Sequence, residues 1–395
     1  MSGLDIQTAR ILVVDDNEMN RDMLARRLAR TGYKVDTADG GNPALEMIWS
    51  GNYNLVMLDI MMPDIDGLTV LKRTREFYSK SELPVIMATA RDEGSDLVEA
   101  LSLGANDYVT KPLDFKVVRA RVESVLAYAQ AVSKLTRVNE RMNRDLEAAA
   151  RVQASLLPNA PIDIEGAEFI WQYRPCDELA GDGLNVFKRD DEHIAMYVMD
   201  VSGHGVAAAL LSVSVTHHLS QLIGNHQSAE RCEFTGNNII SPAWLARNLN
   251  RLFPMASVGG HYLTLLYGVL NARTRRFCFV SAGSPGPLIV HKDGSADVHD
   301  VPAVPIGMFP DSEYEDKVIE LQEGDRIYLY TDGIYEERNS ETREQFGRDR
   351  MQNELCAASG HPFETSLDGL IQSITRWRGS DDLSDDIAVL GCAIR

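Results

Sequence analysis

At 395 residues the chain is long enough for two or three domains of ordinary size, so one small core would leave much of it unexplained. Its 39 Lys+Arg against 58 Asp+Glu give a formal net charge of -19, which argues against a general nucleic-acid binder, because phosphate contacts need dense positive charge. The five cysteines, Cys176, Cys232, Cys278, Cys356 and Cys392, lack the close spacing of a zinc knuckle or redox motif, and no stretch approaches the ~20 apolar residues that span a bilayer, so a soluble, cytoplasmic protein without direct nucleic-acid or membrane contact is expected.

Hydrophobic patterning divides the chain in three. Nearly continuous apolar runs at 10–14 (RILVV), 55–58 (LVML) and 85–89 (VIMAT), with helical stretches such as 19–30 between them, predict parallel strands covered on both faces. From 115 to 157 there is no glycine or proline, and apolar residues recur at spacings of three and four from Val118 to Leu156. This predicts one long helix or two nearly continuous ones, stopped by Pro158 and Pro161. Successive threes near Val132 to Val138 read as a departure from a strict heptad. Between Lys116 and Arg151 eight Lys/Arg meet four Asp/Glu, the pattern of a solvated coiled-coil exterior. Beyond Ile162, β-rich segments at 168–173, 194–201, 263–270, 276–281, 288–291, 326–331 and 387–392 are interrupted by helical stretches at 207–222, 242–252 and 366–376. That texture predicts a mixed domain of antiparallel strands under covering helices. The polar excursion 224–241 reads as a loop.

In the first piece Asp15 and Asp16 follow one strand, Asp59 ends another, Thr89 ends a third, and Lys111 follows the 107–110 strand. These positions share the carboxyl edge of a parallel sheet, where open α/β folds place ligands. Carboxylates gathered there repel unless a hard cation neutralises them, and Mg2+ suits oxygen ligands. An ion held by Asp15, Asp16 and Asp59 would orient a phosphoryl donor for attack by the Asp59 carboxylate, with Lys111 and Thr89 on the added oxygens. The segments VVDDNEMNR, MLDIMMPDIDG, IMATA and YVTKP resemble the successive motifs of bacterial two-component response-regulator receiver domains, over residues 9–128. The resemblance implies a doubly wound fold on a five-stranded parallel sheet, with Asp59 as phosphoacceptor and Asp15 and Asp16 as magnesium-site acids. It further implies Thr89 as switch hydroxyl, Tyr108 as switch aromatic, Lys111 as phosphate partner, and a sensor histidine kinase upstream.

Acidic signals recur in the last piece: Asp182 in LAGDGLN, Asp200 in YVMDVSGHG, Asp332 in LYTDGIYE, and Asp385 and Asp386 in LSDDIAVL. Most flank apolar strand-like runs, so a β-sandwich can bring them to one edge, where two hard metal ions share them and activate a bridging water. The expected direct ligands are Asp182, Asp200, Asp332 and Asp385 with the Val201 carbonyl, while Asp386 orients the shell. Together with the preceding EAAARVQASLLPNAPI, these motifs resemble PP2C-like protein serine/threonine phosphatases of the bacterial sporulation-phosphatase and stress-regulator branch, over residues 147–395. That resemblance implies an α-β-β-α sandwich in a domain over 158–395 and two Mg2+ or Mn2+ ions. It also implies in-line hydrolysis of phosphoserine or phosphothreonine, with a phosphorylated anti-sigma-factor antagonist as substrate.

Three departures stand out: Asn185 where many relatives have a second acid, Ser284 where histidine is common, and Ala388 for a frequent threonine. The four ligands remain, which favours an active enzyme over a noncatalytic adaptor that binds a sigma factor or proteolysis component through a pseudophosphatase domain. Arg174, shortly before the Asp182 motif, is a candidate for substrate phosphate, and His204, in its GHG setting, for phosphate or an acidic partner. The helix over 116–157 overlaps the last receiver helix, and its apolar stripe fits a parallel homodimer or packing against either globular domain.

Overall fold

The computed structural model describes residues 9–89, 94–158, 164–224, 230–232, 239–380 and 382–395, and the chain divides into two compact units, Met1–Asn143 and Arg144–Arg395. In the first unit β1 (Arg10–Val14), β2 (Lys34–Ala38), β3 (Leu55–Asp59), β4 (Val85–Thr89) and β5 (Asp107–Thr110) form one parallel sheet in the order β2-β1-β3-β4-β5. Helices α1 (Glu18–Arg30), α2 (Gly41–Ser50), α3 (Gly67–Arg75) and α4 (Gly94–Ser102) connect them. The continuous apolar runs are explained by two cores. Leu12, Val14, Val56 and Leu58 pack with Leu45 of α2 and Val70 of α3, while Ile11, Val13, Leu55 and Met57 pack on the other face with Leu24 and Leu28 of α1.

α5 (Phe115–Ala154) is a single helix of 40 residues. Its first turns bury Val118, Val122, Val125 and Leu126 against the sheet. Farther along, Tyr128, Leu135, Val138, Met142 and Val152 are 56% to 70% exposed. With Ala131, Asp145 and Ala149 they occupy every a and d position of one strict heptad register from 128 to 152. The successive threes near Val132 to Val138 fall where these exposed positions meet the buried ones. Two stripes overlap there, one facing the receiver core and one forming an exposed seam, and reading them as one produces the run of threes.

The second unit holds two five-stranded antiparallel sheets. One runs β13 (Lys317–Glu320), β10 (Arg276–Ala282), β9 (Leu263–Asn271), β8 (His193–Val201), β7 (Gly183–Lys188). The other runs β12 (Ala296–Val298), β11 (Leu288–Val290), β14 (Arg326–Tyr330), β15 (Ile387–Ile394), β6 (Ala167–Arg174). Between them lies a core that includes Met196, Leu266, Phe279, Leu329 and Leu390. Outside the first sheet pack α6 (Val206–Gly224) and α7 (Pro242–Leu252); outside the second pack α8 (Gly333–Glu336), α9 (Arg348–Ala357) and α10 (Ser366–Arg378). The layers are thus α-β-β-α. α6 is long and apolar enough to cross a membrane, yet its Leu211, Val215, Leu219 and Ile223 are built into the core beside the first sheet. Of the predicted loop 224–241, Arg231 bridges Ile240 and Cys232 N–H donates to the Ile239 carbonyl at 2.8 Å, while 225–229 and 233–238 lie outside the described residues.

Two candidate carboxylate sites

The strand order of the first unit reverses between β1 and β3, and the acids gather at the carboxyl ends of those two strands, the crevice where such sheets bind ligands. Asp15 and Asp59 are buried and Asp16 is exposed, and the three carboxylates bring oxygens within 4.8 Å of one another. Lys111 Nζ bridges two of them, 3.0 Å from Asp15 Oδ2 and 2.7 Å from Asp59 Oδ2. Burial pushes the Asp59 carboxyl up, the bond from Lys111 pulls it back, and the neighbouring Asp15 and Asp16 push it up again, leaving it above its ordinary value. Burial works to lower the Lys111 ammonium, but its bonds to Asp59 and Asp15 prevail and hold it above the ordinary lysine value. Gly67 makes the close approach possible: a Cβ there would lie 2.1 Å from the Asp59 carbonyl oxygen. Thr89 is buried at the end of β4, its carbonyl accepting the Lys111 N–H at 2.7 Å, and Tyr108 is half-buried on β5 opposite Met87.

In the second unit the pairing Gly183↔Met199 brings Asp182, just before β7, beside Asp200 near the end of β8. Asp332 follows β14, and Asp385 and Asp386 precede its neighbour β15. Hydrogen bonds tie the segments of this edge together. Thr331 Oγ1 donates to Asp182 Oδ2 at 2.7 Å, and the buried Asp386 carboxylate accepts N–H groups from Gly181 at 2.7 Å and Cys176 at 2.8 Å. Gly181 packs so tightly that a Cβ would lie 2.8 Å from the Val201 carbonyl oxygen, which puts that oxygen beside the Asp182 loop. Gly333 is tighter still, with 1.9 Å from a built Cβ to the Asp386 carbonyl.

Burial and mutual repulsion oppose ionisation of the acids along this edge. Burial, then the Asp200 charge, drive Asp182 well above its ordinary value. Burial, then Asp332 and Asp385, hold Asp200 up at about 7. Burial raises Asp332, and burial with the neighbouring acids raises Asp385 to about 6. Among the described residues these acids do not converge within 4.8 Å as the receiver acids do.

A family model described as stage II sporulation protein E (SpoIIE) matches residues 190–395, more than half of the chain. The chain belongs to the SpoIIE family. A response-regulator receiver-domain model matches residues 11–123, so this SpoIIE-family chain carries a receiver domain ahead of its PP2C-type fold. Among curated relatives it is 41% identical over 138 residues to the transcriptional regulatory protein DltR of Streptococcus agalactiae, covering 34% of this chain and 61% of that protein. It is 44% identical over 117 residues to the alkaline phosphatase synthesis transcriptional regulatory protein PhoP of Bacillus subtilis, covering 30% of this chain and 48% of that one. The chain thus spans about half to three fifths of the length of these relatives. Among solved structures, the SiaA-PP2C domain of Pseudomonas aeruginosa superposes with a TM-score of 0.55 at 18% identity, covering 65% of this chain and 99% of that domain, a likeness of fold.

Within the SpoIIE-family unit the remaining predicted residues lie at the rim. Arg174 is exposed at the end of β6, and the exposed His204 has Asp177 Oδ2 3.4 Å from its Nδ1. Asn185 donates from Nδ2 to the Leu156 carbonyl at 2.7 Å, so the amide that replaces an acid holds the chain just beyond α5. Sequence reasoning missed several supports. Gln153, a polar residue in the apolar stripe, is buried, donates to the Ala180 carbonyl at 2.7 Å and accepts the Ala180 N–H at 3.2 Å. Thr331 follows an apolar run and reads as an ordinary strand end. Glu337 lies in a charged EERN stretch that reads as surface, yet it is fully buried.

Proposed function

We propose that the chain is a metal-dependent protein serine/threonine phosphatase under response-regulator control. The observation that carries this reading is the set of desolvated, mutually repelling carboxylates at Asp182, Asp200, Asp332 and Asp385. An all-oxygen donor set whose ionisation is opposed by its own surroundings fits hard divalent cations, Mg2+ or Mn2+. The four acids and the Val201 carbonyl would hold two ions, and bound ions would activate a bridging water for in-line attack on a phosphoserine or phosphothreonine phosphorus. The protein's own part is to fix the ligands: Thr331 orients Asp182, and Asp386 holds the loop that carries it. Arg174 we assign to the incoming phosphoprotein at the rim, and His204 to an outer polar contact.

In the receiver, Asp15, Asp16 and Asp59 would hold Mg2+, Asp59 would take the phosphoryl group from a sensor histidine kinase, and Lys111 and Thr89 would bind its oxygens, with Tyr108 reporting the change. The division we adopt is a receiver over 9–128, a linker over 116–157 and a phosphatase domain over 158–395. The exposed heptad seam supports a parallel homodimer, with Asp145 as a polar core position that weakens the pairing and fixes its register. The substrate we favour is a phosphorylated anti-sigma-factor antagonist, met in the cytoplasm.

The test is phosphate release from a panel of phosphoserine and phosphothreonine proteins by the purified chain with Mn2+ or Mg2+, alongside Asp200→Asn and Asp59→Asn. Wild type should release phosphate only with metal, Asp200→Asn should not, and Asp59→Asn should hydrolyse but ignore an added phosphodonor. Full activity in Asp200→Asn would remove the metal-site assignment. Metal-dependent partner binding without release would establish an adaptor instead.

A further inference from the structure

Resting on the metal-site reading above, we propose that the buried ion pair Glu337–Arg378 is a positioning device that presets the Asp385 loop for metal. Glu337 immediately follows α8 as its cap, five positions after Asp332, and it is fully buried. Arg378 is the last residue of α10, and its Nη1 donates to Glu337 Oε2. The other oxygen, Oε1, accepts the N–H of Ser384 at 2.6 Å and the N–H of Asp385 at 3.3 Å. One carboxylate therefore ties together three segments: the turn after Asp332, the end of α10, and the loop that presents Asp385.

The chemistry of these bonds separates positioning from mere architecture. A buried carboxylate keeps its charge only when paired, and Arg378 supplies the pairing on one oxygen. Charge on the other oxygen strengthens its bonds to the two backbone donors. Those donors belong to a proposed ligand residue and its immediate neighbour, so the Asp385 main chain is fixed before any ion arrives. Asp385 Oδ1 then accepts the Asp386 N–H at 2.9 Å, which sets the direction of its carboxylate. With both oxygens engaged, Glu337 acts through Asp385 as a support to a ligand and not as a ligand.

Two double variants separate the acceptor from the ion pair. Glu337→Gln with Arg378→Met keeps a carbonyl oxygen for the two N–H groups, whereas Glu337→Leu with Arg378→Met fills the same space without an acceptor. Replacing a buried pair by apolar residues of similar volume is compatible with folding. Both are made in an Asp15→Asn, Asp59→Asn background that silences the receiver site, and Mn2+ affinity is measured by calorimetry, with urea unfolding in EDTA as the control for folding. The expected result is an affinity lower by about two- to fivefold for the Gln/Met chain, which keeps the acceptor without its charge, and lower by about 10- to 100-fold for the folded Leu/Met chain. Background-level affinity in both folded chains would overturn the proposal alone. Absence of Mn2+ binding in the background chain itself would overturn the metal-site reading and this proposal with it.

Discussion

Replacing Asp200 by Asn tests the C-terminal electrostatics without any turnover. Burial, then the Asp332 and Asp385 carboxylates, hold the Asp200 carboxyl at about 7 against an ordinary 3.8. Between those two values the folded chain keeps a proton that the unfolded chain has lost, so stability falls as pH rises through that window and levels off above it. The interval corresponds to about 4 kcal/mol against the metal-free protein once the group is ionised. Asparagine cannot ionise. In EDTA the variant should therefore gain on wild type as pH rises from about 4 to about 8, by up to about 4 kcal/mol, with an imperfectly bonded buried amide subtracting about 1–3 kcal/mol at every pH. Divalent ion reverses the order, since wild type gains about 2.7 kcal/mol per site at 100 times Kd and the variant loses that gain. Urea unfolding across this pH range, read by pulse-labelling mass spectrometry on peptides from β8 and β9, follows the C-terminal unit separately from the receiver. A difference between variant and wild type that stays flat with pH would refute the claim that Asp200 is held against its neighbours' charge.

Three further outcomes follow from the geometry. Gly333→Ala places a methyl group 1.9 Å from the Asp386 carbonyl, so the Asp332 turn and the Asp385 loop must separate; calorimetry should show weakened Mn2+ binding, and urea unfolding a cost of about 1–3 kcal/mol. Leu135→Glu with Met142→Glu charges two exposed core positions of the heptad seam and should give a monomer by light scattering, while Ser133→Glu, at an outer position, should leave the mass unchanged. Gln153→Ala strips both partners from the Ala180 main chain and should cost about 1–3 kcal/mol by urea unfolding of the C-terminal unit; an unchanged midpoint would show that the clasp is idle.

How much was legible in the chain depends on where each strand sits. Of the strands read from sequence, β1, β3, β4, β8, β9, β10, β11, β14 and β15 are interior, with nearly continuous apolar runs, and only β5 and β6 lie at edges. The strands that escaped, β2, β7, β12 and β13, are all edges. KVDTA and ADV have one face open to solvent and carry too few apolar residues for a run to stand out. The carboxylates were legible for a related reason: an aspartate at the end of an interior strand breaks an apolar run at a fixed place. Their supports were not, because Thr331 reaches Asp182 and Glu337 reaches Arg378 across spans of sequence that no local pattern records.

Asn185 shows how a departure read as loss can be a gain of another kind. In place of an acid it reads as one ligand fewer; in the fold its Nδ2 donates to the Leu156 carbonyl, which a carboxylate cannot do when ionised. Gln153, one turn earlier, clasps both main-chain atoms of Ala180, two residues before Asp182. The end of α5 with the residues just beyond it and the segment around the innermost acid are therefore bonded at three points, all through side-chain amides that carry no charge. A displacement of that turn must either break those bonds or move Asp182, whose carboxylate is in turn tied to Thr331 on the opposite sheet. If the site binds metal as proposed, a mechanical bias at the helix end of about 1.4 kcal/mol, roughly one such bond, would change that affinity tenfold.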